Sequence, residues 1–133
     1  MTLEHVAIWT HDLEKLKDFY VKYFGAIPNK KYTNSIKSFQ SYFLTFESGA
    51  RLELMTMPGI PGNSNDTIQR QHKGIHLAFG VDTMSRVDAM ANELKSDGFP
   101  MLSGPRKTGD GYYEFETLDP DNNRLEVTCL YPV

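Results

Sequence analysis

The chain has 133 residues, of which 40% are hydrophobic, 12% aromatic and 23% charged, with a formal net charge of −3. These proportions predict a globular chain with a core of its own; a mean hydropathy of −0.44 without a long uncharged apolar run excludes a membrane span, and scattered Lys and Arg on an acidic balance argue against a nucleic-acid partner. The single cysteine, Cys129, excludes an internal disulfide and a cysteine-built zinc site, and the start MTLEHVAIWTHDLEK lacks the pattern of a secretory signal, so the expected location is the cytoplasm.

Residues 3–9, LEHVAIW, read as a first strand. Asp12 then offers a helix N-cap, Leu13, Leu16, Tyr20, Tyr23 and Phe24 recur at helical spacing, and Gly25 suits the position after a helix end. Extended stretches follow in IPNKKYT (27–33), KSFQSYFLTFE (37–47) and, after the Ser48-Gly49 turn signal, ARLELMT (50–56). The order over 1–57 is therefore β-α-β-β-β, and the Pro-, Gly- and polar-rich 58–73 reads as a connection. Beyond it GIHLAFGVD reads as a strand, Thr83 caps a helix that Gly98 ends, and strands fall near FPMLS, GYYEFETL and NRLEVTCL, with Asp119 to Asn123 as the turn before the last. The second module, 74–133, repeats the grammar of the first, which predicts an internal duplication within a single domain spanning 1–133.

Strand parity sharpens this reading, because successive strand residues point to opposite faces. His5 shares a face with Leu3, Ala7 and Trp9, while Val6 and Ile8 face the other way. Glu53 lies with Arg51 and Met55, opposite Leu52 and Leu54. His76 lies with Ala78 and Gly80, opposite Ile75, Leu77, Phe79 and Val81, and Glu126 lies with Arg124 and Thr128, opposite Leu125, Val127 and Cys129. His5 precedes Glu53 by 48 residues and His76 precedes Glu126 by 50. A lone strand histidine is usually a hydrogen-bonded rim residue, and a glutamate between leucines is usually the wet side of a strand. Neither explains why both modules place the two residues alike. Two imidazoles and two carboxylates form a mixed nitrogen and oxygen ligand set suited to one Zn, Ni, Co, Mn or Fe(II) ion. His11 and His72 have no such counterparts and read as helix-start and connection residues, and Cys129 reads as a small core hydrophobe.

LEHVAIWTHDLEKLKDFYVKYFG, LELM, GIHLAFGVD and LDPDNNRLEV resemble the vicinal oxygen chelate superfamily of glyoxalase I, bleomycin and fosfomycin resistance proteins, extradiol dioxygenases and methylmalonyl-CoA epimerase. The resemblance implies an α+β fold in which two βαβββ modules form a cupped mixed β-sheet with helices on its outer face, and a homodimer. It also implies one divalent ion per site, on strand positions that are His5, Glu53, His76 and Glu126 here. That quartet is the one of bacterial glyoxalase I, so the implied activity is that of a lactoylglutathione lyase-like carbon–sulfur lyase or isomerase. The substrate would be a hemithioacetal or another small molecule with adjacent oxygens. By the same resemblance Glu126 is the base that takes a proton next to a carbonyl, giving an enediolate stabilised by the metal, and Glu53 acts on the opposite side.

Glyoxalase I carries an arginine four residues after its first ligand and an asparagine four after its second, both used on glutathione; Trp9 and Met57 stand there in this chain. Trp9, Met55 and Met57 would form an apolar wall, and Arg51, Arg124 or Lys107 would meet an anionic group, Lys107 lying in a Gly104-Pro105-Arg106-Lys107 stretch that resembles a substrate-binding loop. An acyl-CoA epimerase, an Fe(II) dioxygenase and a non-catalytic binding protein on the same fold are the alternatives.

Overall fold

In each half of the chain the first strand pairs in parallel with the last, and a helix fills the crossover. The computed structural model describes residues 1–63 and 74–131; most of the expected connection, with His72, lies outside the described residues. The chain divides into two compact units, 1–63 and 64–133. Each unit is a mixed sheet with one helix, and the class is α+β. No described helix is long and apolar enough to cross a membrane.

The first unit runs β1 (His5–Trp9), α1 (Leu13–Phe24), β2 (Ile27–Pro28), β3 (Tyr32–Asn34), β4 (Phe39–Thr45) and β5 (Arg51–Thr56). Its sheet order is β1-β5-β4-β2, with β3 also on β4; β1 and β5 are parallel and the other pairs antiparallel. Helix α1 starts where Asp12 Oδ1 accepts the Lys15 amide at 3.1 Å, while the buried Thr10 holds the Asp12 amide at 3.0 Å. It stops at Gly25, whose φ of +64° is the left-handed conformation that a side chain would resist. Leu13, Leu16, Phe19, Tyr20 and Tyr23 form the buried stripe of the helix, and Leu44, Leu52 and Leu54 are the buried apolar residues of the strands it packs on. Each such leucine contributes roughly 2 kcal/mol of transfer free energy.

The second unit runs β6 (His76–Gly80), α2 (Met84–Ser96), β7 (Ser103–Lys107), β8 (Tyr112–Leu118) and β9 (Arg124–Leu130), in the order β6-β9-β8-β7, with β6 and β9 parallel. Thr83 caps α2 by accepting the Arg86 amide at 3.1 Å. Val87, Met90, Ala91 and Leu94 are the buried face of the helix, which packs on strands whose Phe115, Leu125 and Val127 are fully buried, together with Cys129. The turn into β9 is organised by the buried Asp119, which accepts the Asp121 and Asn123 amides at 2.9 Å and the Asn123 side chain at 2.8 Å.

Two elements differ from expectation. The stretch 27–33 is not one strand but the short β2 and β3, because Pro28 has no amide to donate and the Asn29 side chain accepts the Phe43 amide at 2.8 Å in place of a ladder bond. The strand expected at 99–103 begins only at Ser103 and takes in Gly104 to Lys107; it is an edge strand with a register shift between Ser103 and Arg106, the place where a sheet tolerates proline.

Gly104 has φ +78°, and a Cβ there would fall inside contact distance of the Glu114 carbonyl oxygen and 3.0 Å from the Phe115 Cα, both backbone atoms that cannot swing aside. Gly104→Ala is therefore expected to lower stability by about 3 kcal/mol, read by denaturant titration, whereas alanine at Gly62, where no neighbour lies within 4 Å, is expected to be near neutral.

Candidate metal centre

The parallel pairings have one register in both units. On β1 and β5 Ala7 faces Glu53 and His5 faces Arg51; on β6 and β9 Ala78 faces Glu126 and His76 faces Arg124. Each histidine thus stands one same-face step from the residue opposite its glutamate, a diagonal within reach of long side chains. His5 Nε2 lies 3.6 Å from Glu53 Oε2, and His76 Nε2 lies 3.6 Å from Glu126 Oε2. The glutamate side chains are largely covered, at 15% and 16% exposure, and the histidines half-open at 40% and 49%. The structure brings the four expected ligands together as two pairs, and among the described residues no group of three or more His, Cys, Asp or Glu side chains converges.

The surroundings of the two pairs differ. In the first unit Phe43 stands opposite Glu53, its ring edge-on to His5 at 5.3 Å and beneath the Arg51 guanidinium at 4.1 Å. Arg51 also binds Glu4 through Nε at 2.9 Å and through Nη2, which holds the Glu4 carboxyl below its usual range and raises the arginine further. Glu4 in turn lies 3.4 Å from His5 Nδ1, the nitrogen that faces away from Glu53.

In the second unit the residue opposite Glu126 is Glu116, buried and paired with Arg124 Nη1 at 3.2 Å, and Glu114 follows on the same face of β8. Burial above all, then the charge of Glu114, pushes the Glu126 carboxyl above its usual range, against the pull of His76. Thr128, next along that face of β9, has a buried Oγ1 with no hydrogen-bond partner among the described residues, an orphan of the kind a ligand or water completes.

Of the other expected site residues, Trp9 stands opposite Met55 at the far end of β1, and Met57 is half-buried one residue past β5. Arg51 and Arg124 have carboxylate partners in their own units, while Lys107 lies exposed on β7 with its ammonium 4.9 Å from the centre of the Tyr131 ring. His11 Nε2 sits 3.1 Å from the Pro61 carbonyl oxygen. Glu4, Phe43, Glu114 and Glu116 were not among the expected site residues. The alternation Phe39-x-Ser41-x-Phe43 and Tyr112-x-Glu114-x-Glu116 carries the signal for those on β4 and β8, since it places them on the glutamate-bearing faces.

The family model for the Glyoxalase/Bleomycin resistance protein/Dioxygenase superfamily matches residues 2–127. Comparison with curated proteins finds no match. Among solved structures, a glyoxalase family protein from Bacillus cereus superposes with a TM-score of 0.81 at 14% identity, covering 99% of this chain and 95% of that one. A glyoxalase/bleomycin resistance protein/dioxygenase domain from a Frankia species gives 0.78 at 18% identity, covering 96% and 95%. The trypanothione-dependent glyoxalase I of Leishmania major gives 0.76 at 21% identity, covering 96% of this chain and 85% of that one. Likeness at these identities is likeness of fold.

A carboxyl whose folded value is raised binds its proton more tightly folded than unfolded, so its contribution to stability is full below the ordinary 4.5 and is lost as pH rises through the folded value. Glu126→Gln in metal-free protein is therefore expected to raise the melting temperature at pH 7, with the gain shrinking as pH falls toward about 4. Thermal melts across that range check it, and a gain that grows on acidification would contradict the assignment.

Proposed function

The chain belongs to the glyoxalase/bleomycin resistance protein/dioxygenase superfamily, and from that premise we propose that it is a metal-dependent lyase or isomerase of glyoxalase I type. The observation that carries the proposal is the duplicated His–Glu pair, with one register and one separation of 3.6 Å in both units. Two donors about 2.1 Å from a common divalent ion stand about 3.0–3.4 Å apart, so each pair fits two ligand positions after a small side-chain adjustment. The orphaned Thr128 hydroxyl beside Glu126 supports a polar occupant on that face.

His5 with Glu53 and His76 with Glu126 are the proposed ligand pairs for a divalent ion, Ni, Zn, Co, Mn or Fe. When bound, the ion supplies Lewis-acid stabilisation of charge that develops on adjacent substrate oxygens. The chain's own residues do the rest. Glu4, beside His5 Nδ1, holds that ring in the tautomer that leaves Nε2 free to bind metal. Glu126 would take the proton from the carbon next to a carbonyl and return it to the neighbouring carbon, and Glu53 would act in the same way on the opposite side. Trp9, Met55 and Met57 exclude water as an apolar wall, and Lys107, the exposed cation, meets an anionic end; Arg51 and Arg124 reach substrate only by exchanging Glu4 and Glu116. A small-molecule substrate, a homodimeric state and a cytoplasmic location belong to the same proposal.

Protein exchanged through a nickel, cobalt, zinc, manganese and iron(II) series is expected to retain close to one equivalent of at least one ion. His76→Ala and Glu126→Gln are each expected to weaken retention about tenfold or more. Less than about a tenth of an equivalent of every ion would end the metalloenzyme reading, and full retention by both variants would move the site elsewhere. A screen of hemithioacetals made from methylglyoxal and several thiols tests the substrate class. Turnover of an acyl-CoA epimerisation substrate alone, or oxygen uptake with the iron(II) form, would replace the glyoxalase branch by one of the alternatives.

A further inference from the structure

On the first unit, the face that carries His5 and Glu53 continues into a block without charge. Register places Trp9 opposite Met55, Ser41 opposite Met55 from the other side, and Tyr32 opposite Ser41, with Phe39 two residues along β4. Trp9 and Phe39 meet edge to face at 6.0 Å and 81°, and Tyr32 leans on Phe39 at 6.2 Å and 59°. The three rings therefore hold one another in place, yet Trp9 is 49% and Tyr32 54% exposed. A core would have covered them. They lie instead on the face opposite Leu44, Leu52 and Leu54, the residues packed under α1.

The occupant follows from charge and spacing. Trp9, Met55, Phe39 and Tyr32 carry no charge, and the cation nearest along β5, Arg51, is bound by Glu4 and laid over Phe43. The block thus offers nothing to an anionic tail, and to a flat neutral group it offers three aromatic rings, two of them about half exposed. Met55 is one same-face step from Glu53, about 7 Å along the strand. We propose that this block is a subsite for a neutral aromatic ring, and that the substrate is a small molecule whose adjacent oxygens carry an aromatic group directly or one carbon away. The inference deepens the metal reading given above and rests on it for where the oxygens sit.

Trp9 is the single tryptophan, so its emission reports this block alone. The full chain, metal-loaded and metal-free, is titrated with benzohydroxamate and acetohydroxamate, which share one pair of chelating oxygens and differ only in the ring. Calorimetry gives the affinities and fluorescence the contact with Trp9. In the loaded protein benzohydroxamate is expected to bind about tenfold tighter and to quench Trp9, while acetohydroxamate leaves the emission unchanged. Tyr32→Leu, at an exposed site that does not threaten folding, and Phe39→Leu are expected to cut the preference to about threefold or less without changing acetohydroxamate affinity. Equal affinity of the two hydroxamates, or a preference untouched by both variants, overturns the subsite. Its failure is distinguishable from failure of the metal reading: without the subsite the two hydroxamates bind alike and only with metal, whereas without the metal centre benzohydroxamate and the non-chelating benzamide quench Trp9 equally, loaded or not.

Discussion

The parallel pairing of first and last strand is the constraint on which the structure turns. It places a histidine and a glutamate diagonally across two strands, and it does so in the same register twice, Ala7 against Glu53 and Ala78 against Glu126. A slip of one residue would send each histidine under a helix and bring Val6 or Leu77 to the open face. What prevents the slip is the core itself. Leu52 and Leu54 in one unit and Leu125 and Val127 in the other are buried on the helix side, and they fix the register that positions the chemistry opposite.

With the same parallel register in both units, the difference between the two pairs comes from the third strand of each sheet. Phe43 faces Glu53 where Glu116 faces Glu126. The phenylalanine surrounds the first pair with an aromatic edge and a stacked Arg51. The glutamate adds to the carboxylates around the second, of which Glu116 is matched by Arg124 and Glu114 by Arg106 at 3.5 Å, and the charge of Glu114 adds to the burial that raises the Glu126 carboxyl. One pair thus has an aromatic neighbour and the other an acidic one.

Much of this was legible in the sequence from local signals: the αβ order of both units, the caps at Asp12 and Thr83, the glycines Gly25 and Gly98 that follow the helices, and the placement of His5, Glu53, His76 and Glu126 on the strand faces opposite the apolar residues. What escaped depends on partners distant in the chain. Nothing local says that Arg51 will meet Glu4 or that Arg124 will meet Glu116, because those contacts need the cross-strand register. The edge strand at Ser103–Lys107 escaped for the same reason: Gly104 and Pro105 read as a loop until β8 is present to pair with one side of it.

The two faces of each sheet also explain why fold and substrate part company. The fold likeness with a TM-score of 0.81 goes with only 14% identity, and the positions the fold itself demands are the apolar ones that meet the helices. Those positions alternate with the ones on the open face, so replacing a side chain such as Trp9 or Met55 leaves Ile8 and Leu54 beside it on the other face. Register is held by one set of residues, and the other set is free of that constraint. The uncovered rings of Trp9 and Tyr32 belong to the second set, so their exposure on the open face is not required by the packing that holds the strands together.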